Sequence, residues 1–546
     1  MSAEENNTAQ HIGAARETFE SIWIAIVMAF VLRAFVVEAF VIPTGSMAPR
    51  LMGQHWQFDC PACGYHYAFG LTSAGNQATI DISNPSAGPP AICPNCHYDY
   101  RFGRAYAFSG DRVLVLKYLY QFRQPRPWDV VVFKNPQDND VNYIKRLIGL
   151  PGQMIEIVHG DIFFRDGQDF NGDGVIDQRD FDDPRAAAGC PWQLLRKQPA
   201  TQQVMWQIIF DNDYQPDPSF FAGNSWKPCW TGGPGWSSST DGREFNFAGK
   251  GAGELNFAGD DREDRSRFLP IYAYNLHPGR MDVPPYDERV DVNYDLQLSA
   301  VYQPQSEGSR ISLQTSSFND VHQIVLSADG TLVLRHGLLE EPANGQAGVR
   351  WDEKPVETVK IPPLKVAQEY QLALTYAEHA LTFWIDGKCV LRGPQKPGDQ
   401  AYAQTKSRLA SPGALPTPRV AIAAQEGPCR LRHLRLEGDA YYTSPSLRGG
   451  ARGQGTNGNP IVLRKFLNNS DLDEFFVLGD NSPNSLDGRL WETQAPTLRE
   501  GYHMGTVPRY NMIGKAFFVY WPGGYRLPFY PSLPLAPNVG RMRLIR

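Results

Sequence analysis

The sequence predicts a mainly β, multidomain protein behind one N-terminal transmembrane helix, and three observations carry that expectation. At 546 residues the chain is too long for a single compact core. Its 50 glycines, 43 prolines and 24 tyrosines favour strands, turns and loops over long helices. Residues 19–42 are almost all apolar, and a helix of ~20 residues spans a bilayer core. Charge narrows the partners: 52 basic against 58 acidic residues give a formal charge of −6, with no long basic run to follow a phosphate backbone. That balance argues against nucleic acid.

Residues 1–18 read as a polar tail and 19–42 as the anchor, interrupted by Glu20, Ser21, Arg33 and Glu38. A positive n-region is missing and no small-x-small site ends the stretch cleanly, so an uncleaved anchor in a lipid bilayer fits better than a removed leader. The non-basic tail signals orientation poorly. In Pro43-Thr44-Gly45-Ser46, proline fixes φ and glycine opens further backbone angles, so the turn can present a hydroxyl together with backbone N–H groups. The same composition also makes an ordinary loop.

Cys60-Pro-Ala-Cys63 and Cys93-Pro-Asn-Cys96 are near-copies of one knuckle, and together they predict a zinc ribbon over 60–104. Four protein ligands leave no open coordination position, so such a zinc is structural; two disulfides are the rival. Cys190, Cys229, Cys389 and Cys429 are scattered singles, open to disulfide pairing or to burial as thiols. Gly110-Asp-Arg-Val-Leu-Val-Leu-Lys-Tyr118 and Asp129-Val-Val-Val-Phe133 read as core strands. In the strand that follows Val141, alternation puts Tyr143, Lys145 and Leu147 on one face, so Lys145 falls among apolar neighbours unless the strand is an exposed edge.

Asp169, Asn171, Asp173, Asp177 and Asp180 are spaced like the ligands of a calcium loop with Gly174 at the sharp turn, although a solvated acidic turn has the same composition. They open an irregular insertion over 166–289, in which Glu244-Phe-Asn-Phe-Ala-Gly249 and Glu254-Leu-Asn-Phe-Ala-Gly259 echo each other without suggesting a chemistry. Residues 290–443 alternate as antiparallel strands with Asp329-Gly330 and Asp386-Gly387 as hairpin turns, which predicts an inserted β-sandwich. Its segment 372–387 resembles concanavalin-like sandwiches, a likeness of fold that assigns no ligand. A Gly/Ser/Arg-rich linker, 444–459, returns to the strand Glu474-Phe-Phe-Val-Leu-Gly479 and a polar loop, Asp480 to Arg489. Asn511 to Pro522 supplies one more strand, and 536–546 forms a tail.

The order of these motifs resembles a bacterial type I signal peptidase, a membrane-anchored serine/lysine endopeptidase. Four segments carry the likeness: Ile42-Pro-Thr-Gly-Ser-Met-Ala-Pro49, Gly110-Asp-Arg-Val-Leu-Val115, Lys145-Arg-Leu-Ile-Gly-Leu-Pro-Gly152 and Gly479-Asp-Asn-Ser-Pro-Asn-Ser-Leu-Asp-Gly-Arg489. The ending Ile513-Gly-Lys-Ala516 and Tyr520-Trp-Pro522 fits as well. The resemblance covers about 1–59, 105–165 and 460–525. It implies an antiparallel β catalytic domain assembled from 43–59, 105–165 and 460–535. It also implies Ser46 as nucleophile, Lys145 as general base, the Ser46 N–H and Thr44 hydroxyl as oxyanion hole, Ser485 orienting the amine, and Asp487 with Arg489 as supports. A lysine base needs its pKa lowered from ~10.4 by burial. Catalysis would need no cofactor. Substrates would be exported preproteins, and the site would lie on the periplasmic side of a bacterial inner membrane.

Ser482 stands where the family often has arginine, Gly488 where it has serine, and 490–509 interrupts the usual ending. A self-cleaving Ser/Lys protease related to SOS repressors would share the dyad but should carry a DNA-binding domain and no anchor. The non-enzyme alternative is a membrane-tethered binding protein that uses the sandwich on an inactive peptidase scaffold.

Overall fold

In the computed structural model, two unlike β units are joined by a pair of small cysteine-bearing hairpins, over residues 18–70, 90–101, 108–221, 226–257, 267–269, 273–275, 291–340, 348–411, 415–447, 450–499, 501–523 and 538–546. Of the expected tails, 1–17 and 536–537 lie outside the described residues.

The first unit is an eight-stranded antiparallel sheet. Its strands run in the order Val37–Val41, Arg112–Leu116, Met512–Trp521, Val130–Asn135, Asp138–Gly149, Glu474–Leu478 and Val507–Pro508, and Arg543–Leu544 also pairs with Met512–Trp521. Runs apolar on both faces build it, because both faces are covered. Val130 and Val132 pack with Val113, Val115 and Val519 under Ile42, Met47 and Leu51, whereas Val131, Phe133 and Leu147 pack with Phe475, Val477 and Trp491. Side chains alternate across a strand, so the first cluster supports the turn that carries Ser46 and the second lines the face that carries Lys145.

The helix expected over 19–42 stops earlier at its C-terminal end. Among the described residues, 18–31 are α-helical; the backbone then widens into a π turn at Leu32–Val36 and extends as Val37–Val41, paired with Arg112–Leu116. Among the described residues no helix is long and apolar enough to cross a membrane. Val37, Phe40 and Val41 are as much strand formers as membrane residues, and an open sheet edge gives their backbone a ladder partner. The short helix exposes Phe19, Ile22, Trp23, Ile24 and Phe30.

The second unit consists of two eight-stranded sheets sharing one large apolar cluster. Asp329-Gly330 and Asp386-Gly387 do turn hairpins, with Gly330 and Gly387 at positive φ, where glycine meets no steric cost. The sheets begin well before residue 290. Gln207–Asp211, Trp236–Ser238 and Glu244–Phe247 join one sheet; Trp230–Gly232 and Ala252–Phe257 join the other. Each of the two echoing phrases is therefore a strand, one per sheet, burying Phe245 and Phe247 or Leu255 and Phe257. Frequent Gly, Pro and Trp between them masked this period-two pattern.

Two hairpins, His55–Asp59 with His66–Gly70 and Pro90–Ile92 with Asp99–Arg101, hold the four CxxC cysteines in a cluster with Trp56, Phe58, Tyr67 and Phe69. No disulfide joins any of the eight cysteines; Cys190, Cys229 and Cys429 are buried and Cys389 half-buried.

Candidate active site

Gly45–Met47 forms one tight 3-10 turn with all three residues buried, closed by the Ala48 N–H donating to the Gly45 carbonyl at 3.0 Å. Thr44 precedes it in extended conformation, exposed, with its side chain making no capping hydrogen bond. Two donors from the far end of the chain fix the turn: the Asn481 N–H reaches the Ser46 carbonyl at 3.0 Å, and Asn481 Nδ2 reaches the Gly45 carbonyl at 2.8 Å.

Lys145 lies in the middle of Asp138–Gly149, opposite Val131 in register. Its Nζ and Ser46 Oγ are 2.5 Å apart although 99 residues separate them. Both side chains are buried, and the amine also stands 5.2 Å from the centre of the Tyr143 ring. Burial pulls the amine down to about 8; Asp487 and Asp480 pull the other way and Arg489 adds to the lowering. A neutral amine hydrogen-bonded to a buried hydroxyl can take its proton, which is what nucleophilic attack requires.

Around this pair lie two buried ion pairs. Arg146, next to Lys145 but on the opposite strand face, meets Asp480 with both bonds at 2.6 Å. Arg489 grips Asp487 through two bonds of 2.8 Å, and Asp487 accepts from the Gly479 N–H at 3.0 Å. Burial disfavours the Asp487 carboxylate, but Arg489 and these hydrogen bonds outweigh it and hold its pKa below the ordinary value.

The family described as signal peptidase, peptidase S26, matches residues 105–199 and 452–521, the stretches that contain Lys145 and the 479–489 loop. The match covers less than a third of the chain. Ser46 lies outside the matched residues. Similar curated proteins include signal peptidase I of Rickettsia typhi (28% identical over 28% of this chain and 44% of that protein) and of Rickettsia prowazekii (30%, with the same coverages). A probable signal peptidase I-1 of Synechocystis is 35% identical over 14% of this chain and 42% of its own length. The chain thus spans less than half the length of the curated relatives it matches. A solved carbohydrate-binding module from Bacillus subtilis is similar over 38% of this chain and 96% of its own, at 10% identity and a TM-score of 0.22, too low to bear on function.

The geometry accounts for Ser482 and Gly488, the two loop residues that differ from the pattern the chain resembles. Ser482 Oγ accepts from Arg489 Nη1 at 2.7 Å and from the Thr443 N–H at 2.9 Å, and Arg489 Nη1 also donates to the Thr443 carbonyl at 2.7 Å. A small hydroxyl leaves room for the chain returning from the insertion; an arginine there would not. At Gly488 a Cβ would stand 2.5 Å from the Gly505 carbonyl, so the 490–509 interruption itself requires glycine. Ser485 is placed differently from expectation. It is buried beside Gly479, but its hydroxyl makes no hydrogen bond to the Lys145 amine.

The four ribbon cysteines converge, with all Sγ atoms within 4.8 Å of one another and the closest cross-knuckle pairs at 3.6 and 3.7 Å, so the cluster could hold a metal ion. Among the described residues this is the one such group of His, Cys, Asp or Glu ligand atoms. In the loop expected to hold calcium, the acidic oxygens make local hydrogen bonds. Asp169 accepts from the Gly172 and Gly174 N–H groups, Asn171 from Asp173, and Asp173 from Val175. Asp177 and Asp180 form a capping box on the Gln178–Asp182 helix. The Arg179 guanidinium then sits against Asp173 and Asp177 at 2.5 and 2.8 Å, so the loop carries its own cation.

Gly479 is a tight point of the site, since a Cβ there would lie 2.2 Å from Ser485 Oγ and 2.5 Å from the Ser46 carbonyl. Gly479→Ala is expected to destabilise the protein by about 1–3 kcal/mol, the usual cost of overpacking, and to move the Ser46 turn. Thermal melting and peptide cleavage should fall together; an unchanged melting temperature would show that the approach is looser than it looks.

Proposed function

We propose that the chain is a serine endopeptidase of the signal peptidase I type, removing signal peptides from exported preproteins through Ser46 and Lys145. The observation that carries this is the buried contact between the two side chains inside the sheet that the S26 family matches. The neutral Lys145 amine takes the Ser46 hydroxyl proton as Oγ attacks the scissile carbonyl carbon. The peptide C–N bond breaks, the lysine proton goes to the leaving amine, and an acyl ester remains on Ser46. Lys145 then deprotonates a water whose attack on the ester frees the signal peptide and restores the hydroxyl. The Ser46 N–H and the Thr44 hydroxyl serve the developing oxyanion. Substrate binds extended at a sheet edge, with small side chains before the cleaved bond in shallow apolar pockets. Asp487 and Arg489 hold the loop, and Ser485 completes the wall beside Gly479.

Lys145→Arg keeps the positive charge but cannot deprotonate near neutrality, so preprotein cleavage should drop by orders of magnitude while the fold persists, and Ser46→Ala should do the same. In the unaltered protein, cleavage should rise with pH and level off above about 8, because below that value the amine is protonated and cannot accept a proton. A flat profile from pH 6 to 9, or a well-folded Lys145→Arg variant with normal turnover, would eliminate this mechanism.

The ribbon is assigned a structural zinc. Thiolates about 2.3 Å from a tetrahedral zinc stand roughly 3.8 Å apart, close to the 3.6 and 3.7 Å separations found here. Metal analysis should give about one zinc per chain, and a chelator should expose four reactive thiols. Mapped disulfides at these positions would replace the metal.

The exposed apolar helix at 18–31 is assigned to a bilayer, at the bacterial inner membrane with the catalytic sheet on its outer side. Replacing Phe19, Trp23 and Phe30 by serine should shift the protein from the membrane to the soluble fraction on flotation. An unaltered distribution would move the attachment elsewhere.

A further inference from the structure

Ala273–Asn275, a single 3-10 turn of the insertion, reaches back into the site and touches the nucleophile turn from two sides. Tyr274 is buried and donates its hydroxyl to the Gln54 carbonyl at 3.1 Å. Its ring lies flush on Gly45, where an added Cβ would come within 2.2 Å of Cε1, and it meets Gly70 of the cysteine hairpin equally closely, at 2.3 Å. Glycine at 45 thus makes room for a side chain 229 positions later in the sequence.

Asn275 acts on the other side, through Asn481. The two amides pair reciprocally: Asn275 Nδ2 donates to Asn481 Oδ1, and Asn481 Nδ2 donates to Asn275 Oδ1 at 2.8 Å, which also accepts from Asn484 Nδ2 at 3.1 Å. The second hydrogen of Asn481 Nδ2 goes to the Gly45 carbonyl. An amide turned end for end would set Oδ1 against that carbonyl, two acceptors face to face. By taking up Oδ1, Asn275 selects the orientation of Asn481 that holds the turn. Asn481 is fully buried, so no water competes for the choice.

We propose that Asn275 and Tyr274 are positioning residues for the Ser46 nucleophile, so that the insertion completes the active site instead of merely interrupting the peptidase chain. The proposal rests on Ser46 being the nucleophile, as inferred above. Asn275 orients the Asn481 amide, Tyr274 backs the Gly45 peptide, and together they fix Ser46 Oγ against the Lys145 amine. They touch neither the reacting atoms nor the dyad, and they act on turnover by keeping the hydroxyl in its attack position, where a displacement of about 1 Å costs on the order of 10²-fold.

The test is steady-state cleavage of a signal-peptide substrate by the full chain carrying Asn275→Leu, Asn275→Asp, Tyr274→Phe or Ser46→Ala. Asn275→Leu removes both amide contacts, and kcat should fall by about 10- to 100-fold with KM nearly unchanged. Asn275→Asp keeps the size of the side chain but sets a carboxylate oxygen against Asn481 Oδ1 in place of the donor, so it should lose kcat as well. A loss in this isosteric variant separates orientation of the amide from a general loss of packing. Tyr274→Phe, which keeps the ring and loses only the Gln54 bond, should show a smaller loss of kcat and serves if the leucine variant does not fold. Wild-type kcat in folded Asn275→Leu or in folded Asn275→Asp would overturn the proposal. A rise in kcat would also overturn it, identifying the segment as a plug. Normal cleavage by Ser46→Ala would instead refute the dyad itself.

Discussion

A lysine amine works as a base near neutrality only where water is kept away from it, and the burial of Lys145 is the condition that the rest of the site serves. Two carboxylates nearby, Asp487 and Asp480, favour its protonated form. Each is matched within hydrogen-bond distance by an arginine, Arg489 and Arg146, so the charges largely offset one another and desolvation decides the outcome. The matching has its own cost. Removing one member of a buried pair strands the other, typically at 3–5 kcal/mol, so these four residues constrain one another as tightly as they constrain the lysine.

The same constraint accounts for the close approaches around Ser46. The buried contact of Ser46 with Lys145 leaves no space for loose loops, and the backbone of 479–489 lies almost on the Ser46 turn. Gly479 meets the Ser46 carbonyl, Gly45 meets Tyr274, and Gly488 meets the Gly505 carbonyl. Ser482 fills the place of a longer side chain because Thr443, returning from the insertion, already supplies the polar partners that Arg489 needs. These substitutions are therefore mutual adjustments between the sheet that carries Lys145 and the chain inserted into it.

Much of this was legible in the sequence. Alternation alone put Lys145 on a face with Tyr143 and Leu147, and order of motifs alone linked it to Ser46; the strands of the central sheet follow their apolar runs closely. Periodicity failed where two structures share one composition. Val37–Val41 fits a membrane helix and an edge strand equally well, and the sheet edge decided it. The acidic run from Asp169 to Asp180 shows another overlap, since Asp177 and Asp180 of the calcium-like spacing also cap a helix and Arg179 pairs with Asp177. Contacts such as Arg146 with Asp480 or Asn275 with Asn481 leave no local trace, since nothing near either residue announces a partner 334 or 206 positions away. The alternation of Arg146 with Lys145 was the one available hint, as it sends a charged side chain into the other covered face.

The two-residue ladder between Val175–Ile176 and Lys465–Phe466 bears on how so long an insertion is accommodated. It ties the outgoing and returning chains side by side, and Ile461–Val462 then pairs at once with Gln153–Val158. Held open as a flexible loop, the roughly 290 residues between these points would cost the sheet about 5 kcal/mol in closure entropy. Stapled at its neck, the segment confronts the rest of the protein as a bridge only a few residues long. The two parts of the sheet that the insertion separates in sequence are thereby held beside each other in space.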